Sequence, residues 1–275
     1  MNESIPRLED QLPELLAFVR TAAQRIEAGE LRDGVELAQR IDEFYTAQQM
    51  EAIERVAPGW RVMSEYAAGA TRNHITQALI ALQQLPEYRS APPHLRALLE
   101  WSELYHDLGK QVINGQRDAL HAFRGAAMAA RTLPTVGFAT TDAYPSVIEP
   151  WTRLVLGASV AASDGKGLIQ DNRELPAILQ GIDQMFGAGS AAALIVESVL
   201  LHQSLTVVPE WPNPGGLNDA EIPCCIRPAL LPLLEGVMLV DSDAWQLFDP
   251  ASKAKFRQGT LAVFESVRNQ LATDR

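Results

Sequence analysis

The chain has 275 residues, long enough for one large domain or for one domain with an appendage. Hydrophobic residues make up 47% of it and charged residues 21%, which excludes a disordered or fibrous polymer. Acidic side chains outnumber basic ones by 34 to 23, and the net charge of -11 opposes tight, sequence-independent binding of a nucleic-acid backbone.

Met1 to Asp10 is polar and acidic, unlike a secretory signal. No run approaches the roughly 18 uninterrupted apolar residues of a membrane span. Cys224 and Cys225 are adjacent, where a disulfide between them is strained and no second Cys or His lies at finger-like spacing. Reduced thiols, a cytoplasmic location and no membrane partner are the expectation.

Taken in chain order, nearly every segment reads as helix. Leu12, Leu15, Leu16, Val19, Ala22, Ala23 and Ile26 recur at helical steps, predicting a helix from Leu8 to Ala28. A second is expected from Val35 to Val56 and a third from Met63 to Leu85, carrying His74. Pro92-Pro93 opens a helix from His94 to Leu108, with Gly109 placed as its stop or bend. Asp118 is the expected N-cap of a helix from Leu120 to Leu133, which puts His121 in its first turn. The stretch from Pro134 to Pro150 reads as loop, followed by a helix from Trp151 to Ala162 and the loop Asp164-Gly165-Lys166-Gly167. Helices over Pro176–Phe186 and Ser190–Ser204 lead to His202, then come a Pro/Gly-rich loop to Pro223 and helices over Pro228–Phe248 and Ser252–Ala272. No strand alternation of useful length is present, and the predicted class is all-α. A boundary near Ala57 to Trp60 divides an N-terminal helical extension, residues 1–60, from a ligand-bearing body, residues 61–275. The extension reads as a packing or oligomerisation element, so a homo-oligomer is one expected partner state.

Four of the five histidines are spaced as His74, the pair His106-Asp107, His121 and His202, with Asp241 closing the series after an apolar run. Imidazole is the commonest metal ligand, and carboxylates add hard oxygen donors and negative charge. The ligands fall on different predicted helices, the way helical bundles build metal sites. Lys110 follows His106 and Asp107 at helical spacing and is suited to hold an anionic group. A single histidine on an apolar helix is ordinarily a hydrogen-bonded core residue, and Lys110 has the plainer reading of a helix-end cation. Asp243 and Asp164 compete with Asp241, His94 reads as an exposed helix-start residue, and Arg124 suits either a bound phosphate or a surface salt bridge. The five tryptophans read as core or interface residues, with nothing marking a base-stacking platform.

This order, with the run His106-Asp107-Leu108-Gly109-Lys110, resembles the HD superfamily of metal-dependent phosphohydrolases over about Met63 to Phe248. The resemblance implies an HD-like helical bundle and metal ligands His74, His106, Asp107, His121, His202 and Asp241. Asp107 takes the central, often bridging position, and Lys110 matches a lysine that touches substrate; these two are the expected catalytic residues. The two extra histidines imply a binuclear centre of divalent ions: manganese, iron, magnesium, zinc, cobalt or nickel. Hydrolysis of a small phosphate ester, nucleotide or phosphodiester is the implied activity. Diiron oxygenases of the same ligand order and non-catalytic HD signalling modules are the alternatives. Gln203 stands where many members have a second histidine, Ala70 where some have a third-site glutamate, and the Gly-Tyr-Pro motif of cyclic-di-GMP phosphodiesterases is absent. The long stretch from His121 to His202 implies an insertion near residues 134–190, and the loops Thr135–Pro150 and Val207–Pro223 are the expected specificity elements.

Overall fold

The computed structural model describes residues 5–111, 118–207, 213 and 215–273. The chain is all-α, with one small hairpin among the described residues. Its first helices are α1 (Leu8–Gln11), α2 (Pro13–Glu27), α3 (Gly34–Phe44), α4 (Ala47–Val56) and α5 (Trp60–Ser64). They are followed by α6 (Ala70–Gln84), α7 (Pro86–Ser90), α8 (Pro93–Tyr105), α9 (His121–Thr132) and α10 (Tyr144–Gly157). The hairpin β1 (Ser159–Ala161) and β2 (Leu168–Gln170) precedes α11 (Leu175–Phe186), α12 (Ala191–Leu201), α13 (Ile222–Cys225), α14 (Leu231–Trp245) and α15 (Pro250–Thr273).

Several expected helices are broken, each for a local reason. Pro13 lacks the N–H that would continue Leu8–Ala28, so the chain restarts there with proline in the first turn of α2. The expected Val35–Val56 helix divides at Tyr45 and Thr46, because the Thr46 hydroxyl accepts from Gln49 N and caps α4. Met63–Leu85 is interrupted where Ala68 (φ 54°) and Gly69 (φ 91°) take left-handed backbone, and α6 begins only at Ala70. The predicted loop ending at Pro150 is a helix from Tyr144, with Pro145 in its first turn and Pro150 inside it on an exposed face. The expectation of no strands is corrected by β1 and β2, which pair antiparallel around the loop carrying Gly165 and Gly167. Of the loop expected from Val207 to Pro223, residues 208–212 and 214 lie outside the described residues.

The architecture is layered around α12. Ten of its eleven residues are buried, the pattern of a helix enclosed on all sides, and it packs against α8, α9, α11 and α14. Helix α14 in turn packs on α6, α8 and α15. Residues 1–60 contribute Leu8, Leu15, Leu16, Val19, Leu37, Ile41 and Ile53 to the same hydrophobic cluster, with α2 and α3 laid against α6. Residues 134–190 supply α10, the hairpin and α11, joined by Trp151 Nε1 donating to the Ile178 carbonyl at 2.8 Å. No helix among the described residues is long and apolar enough to cross a membrane.

Buried inside α12 is Glu197, only 1% exposed. Arg227 donates both arms of its guanidinium to Asp183, at 2.8 and 2.9 Å, and reaches Glu197 only as an ion-pair neighbour. Burial pushes the Glu197 carboxyl up to about 7, against the pull of Arg227. The folded chain therefore holds a proton that the unfolded chain releases near pH 4.5, and stability falls as pH rises through about 7. Glu197→Gln removes that loss. The variant should gain on the parent by roughly 2 kcal/mol between pH 5 and pH 8 in denaturant titrations; a difference that stays constant with pH contradicts this assignment.

Candidate metal centre

Three of the four clustered histidines sit at helix ends. His106 is the C-cap of α8 and His202 the C-cap of α12, so the pair His106-Asp107 lies at the turn after α8 and not within the expected helix to Leu108. His121 is the first residue of α9. Each donates Nδ1–H to the carbonyl three residues earlier: His106 to Glu103 at 2.8 Å, His202 to Val199 at 2.7 Å, His121 to Asp118 at 2.5 Å. Glu103 and Val199 are among the last four carbonyls that a helix leaves without an internal partner, so these imidazoles also cap their own helices. A carbonyl only accepts, which puts the proton on Nδ1 and leaves Nε2 as an acceptor facing inward.

Those inward nitrogens meet. His121 Nε2 and His202 Nε2 are 3.2 Å apart, and His106 Nε2 is 3.4 Å from His74 Nε2. His74, on α6, also lies 2.8 Å from Asp241 Oδ1 on α14. The six residues form two groups, His74–His106–Asp241 and Asp107–His121–His202, with each group's donor atoms within 4.8 Å of one another. Asp107 faces both: Oδ1 is 3.0 Å from His121 Nε2, and Oδ2 is 3.8 Å from His74 Nε2 and 4.0 Å from His106 Nε2. All six predicted ligands are thus brought together.

The donor set fits divalent cations. Two donors about 2.1 Å from a common ion stand about 3.0–3.4 Å apart at octahedral to tetrahedral angles, and the His121–His202 separation falls in that range. Two imidazole lone pairs facing one another in a buried site repel unless a cation or proton lies between them. A proton is disfavoured: burial, then His121 and His106, push His202 down to about 3. Burial likewise lowers His106. The carboxylates are ionised. Burial opposes ionisation at both, yet Asp107 beside the Lys110 ammonium is held well below the usual carboxylate range and Asp241 beside His74 is lowered too.

The supporting residues correct some expectations. Asp118 is not an N-cap, because Leu120 holds that position in α9 without a side-chain bond. Buried Asp118 accepts from Leu120 N at 3.2 Å, one residue before α9, from Gln111 N at 2.9 Å and from Arg124, whose Nε also donates to the Gly109 carbonyl at 2.8 Å. Arg124 is therefore occupied in bracing the turn after His106. Gly109 serves close approach: a Cβ there would lie 2.5 Å from Gly125 N and 2.6 Å from Arg124 Cβ. Asp243, rival to Asp241, is buried beside Lys253 and Arg257 instead. Asp164 is in the hairpin turn beside Lys166, and His94 is exposed. Cys224 and Cys225 are free thiols.

His74, Asp107, His121, His202 and Asp241 line a cavity of about 390 Å³ that Tyr66, Lys110, Ser242 and Trp245 also line. Lys110 Nζ donates to Asp107 Oδ2 at 2.7 Å; burial lowers its basicity but Asp107 more than restores it, and the ammonium stays charged. A larger hollow of about 520 Å³, with Arg7, Arg20, Arg96 and Glu100 on its walls, lies outside both ligand groups. Sequence reasoning missed two features here. Glu103 is fully buried 3.5 Å from His106 Nδ1, one helical turn upstream, and burial pushes its carboxyl well up. Trp245 stacks on His74 with ring centroids 4.4 Å apart, which its position four residues after Asp241 allows. No protein-family model, curated protein or solved structure matched the chain in comparison.

Elemental analysis of untagged protein should find about two divalent ions per chain, and His202→Ala about one. Loading with manganese or zinc should raise the melting temperature of chelator-stripped protein. Protein that takes up no ion after incubation with manganese, iron and zinc refutes the centre. Gly109→Ala forces backbone apart at α9 and should cost about 3 kcal/mol in denaturant unfolding, with reduced metal content; an unperturbed variant contradicts the packing argument.

Proposed function

We propose that this chain is a binuclear metal-dependent phosphohydrolase of the HD type, acting on a small phosphate ester, nucleotide or phosphodiester. The observation that supports this reading most is Asp107: one carboxylate directs an oxygen to each of two His-rich groups and accepts from a lysine that lines the cavity. Divalent ions held by these ligands supply Lewis acidity toward a phosphoryl oxygen and a water that ionises near neutral pH.

The chain's own residues have separable parts in this reading. His74, His106 and Asp241 would hold one ion, and Asp107, His121 and His202 the other. Asp107, placed between the two groups, would supply negative charge to both. Lys110, tied to Asp107 through Nζ, retains charge and donors for a substrate oxygen as negative charge develops. The cavity of about 390 Å³ suits a small molecule. A polymeric nucleic acid would meet a chain of net charge -11.

Metal-loaded protein should release nitrophenolate from 4-nitrophenyl phosphate or bis(4-nitrophenyl) phosphate. Asp107→Ala should abolish that activity and most metal uptake, while Lys110→Ala should lower kcat about 100-fold with metal content unchanged. Turnover retained in Asp107→Ala overturns the reading. Iron-dependent oxygen uptake with an organic substrate, without phosphate release, replaces it with the oxygenase chemistry of the same ligand order.

A further inference from the structure

We propose that Trp245 is a platform for a planar ring, so that the phosphate ester taken by this site carries an aromatic or heteroaromatic group. This rests on the phosphohydrolase reading and goes further, to the class of substrate. Trp245 ends α14, one turn beyond Asp241, and its indole lies nearly parallel to the His74 imidazole, at 20°. One face is thus covered. The side chain is nevertheless 62% exposed, whereas Trp60 and Trp101 are 0% and Trp151 is 3% exposed. A large apolar side chain left open at the mouth of a polar cavity is a contact surface for a ligand.

Other residues define what that ligand looks like. Tyr66 lines the same cavity and adds a second aromatic side chain to its wall. Met238 and Val207 join them in giving the cavity an apolar part. The opposite chemistry lies among Lys110, Asp107 and the imidazoles, where the phosphate would be held. A substrate matching both is anionic at one end and flat and π-bearing at the other. Stacking reads flatness rather than ring identity, because every aromatic ring offers a π-face. The platform therefore selects a class of esters over alkyl phosphates.

The test is binding of two non-hydrolysable probes, phenylphosphonate and methylphosphonate, to zinc-loaded protein, followed by calorimetry and by tryptophan fluorescence. Phenylphosphonate should bind at least tenfold more tightly and alter the fluorescence, and Trp245→Phe should keep most of the preference while losing the fluorescence change. Trp245→Leu should reduce the preference to about twofold, with methylphosphonate affinity unchanged. A residue that merely steadied His74 would instead weaken both probes alike. Equal affinities in the parent protein, or a preference surviving in Trp245→Leu, overturn the platform and leave the phosphohydrolase reading standing. Failure of both phosphonates to bind metal-loaded protein removes that reading and the platform together.

Discussion

The three Nδ1–H bonds to main-chain carbonyls are the interactions on which the rest of this centre depends. An imidazole that donates from Nδ1 has no choice about Nε2: it is an acceptor, and its direction is fixed by the ring. At His106 and His202 the accepting carbonyl belongs to the last turn of the helix that ends there. The bond that closes the helix therefore also aims the ligand. His121 obtains the same result from the other end of a helix, bonding back to the Asp118 carbonyl before α9 begins. His74 has no Nδ1 partner, and the indole of Trp245 lies against its ring.

Aiming the rings is useful only if the helices carrying them are held at the right distance. Gly109 and Gly125 supply that condition where the turn after α8 meets α9. A Cβ on Gly125 would stand 3.0 Å from the Tyr105 carbonyl and 3.2 Å from a Val199 methyl, so this one position touches both α8 and α12. The absence of two side chains lets three ligand-bearing elements converge. Burying carboxylates among imidazoles is costly, and the compensation is local: Lys110 on Asp107, His74 on Asp241, Arg124 on Asp118. Elsewhere in the core the same problem is solved less completely, as Glu197 illustrates beside an arginine already engaged by Asp183.

How much of this was legible in the sequence follows from the range of the interactions. The all-α class was, because apolar residues repeat at helical spacing from Leu12 through Val267 and need no tertiary information. The six His and Asp positions that cluster in two groups were, because histidine is scarce in this chain and the order of the six resembles a known ligand pattern. Helix boundaries were less so. The Leu12–Pro13 break has a plain local signal in the proline, but the break at Tyr45 and Thr46 depends on Tyr45 reaching Thr76 as well as on a threonine cap. The helix from Tyr144 was hidden because Pro145 and Pro150 look like loop residues, although proline is at home in a first turn. Nothing local distinguished Trp245 from Trp60 or Trp101, since exposure is set by what packs over a residue from elsewhere in the chain. Asp118 looked like a cap because caps are local; it does accept from Leu120 N, the residue before α9, but it also accepts from Arg124 and the amide of Gln111, which no local pattern announces.

The location of the ligands also determines what a metal would do for the fold. They come from α6, the end of α8, the start of α9, the end of α12 and α14, elements that already share one hydrophobic cluster. A small zinc module has no such cluster and unfolds without its ion. Here the elements that carry the donors share an apolar core, with α12 at its centre, whose burial holds them against one another. Metal bound to the folded chain should therefore add to a stability that the core already supplies, by mass action. In the proposed reaction, donors fixed by their own helix ends need not move as charge shifts, and electrostatic stabilisation is most effective when its dipoles are in place beforehand.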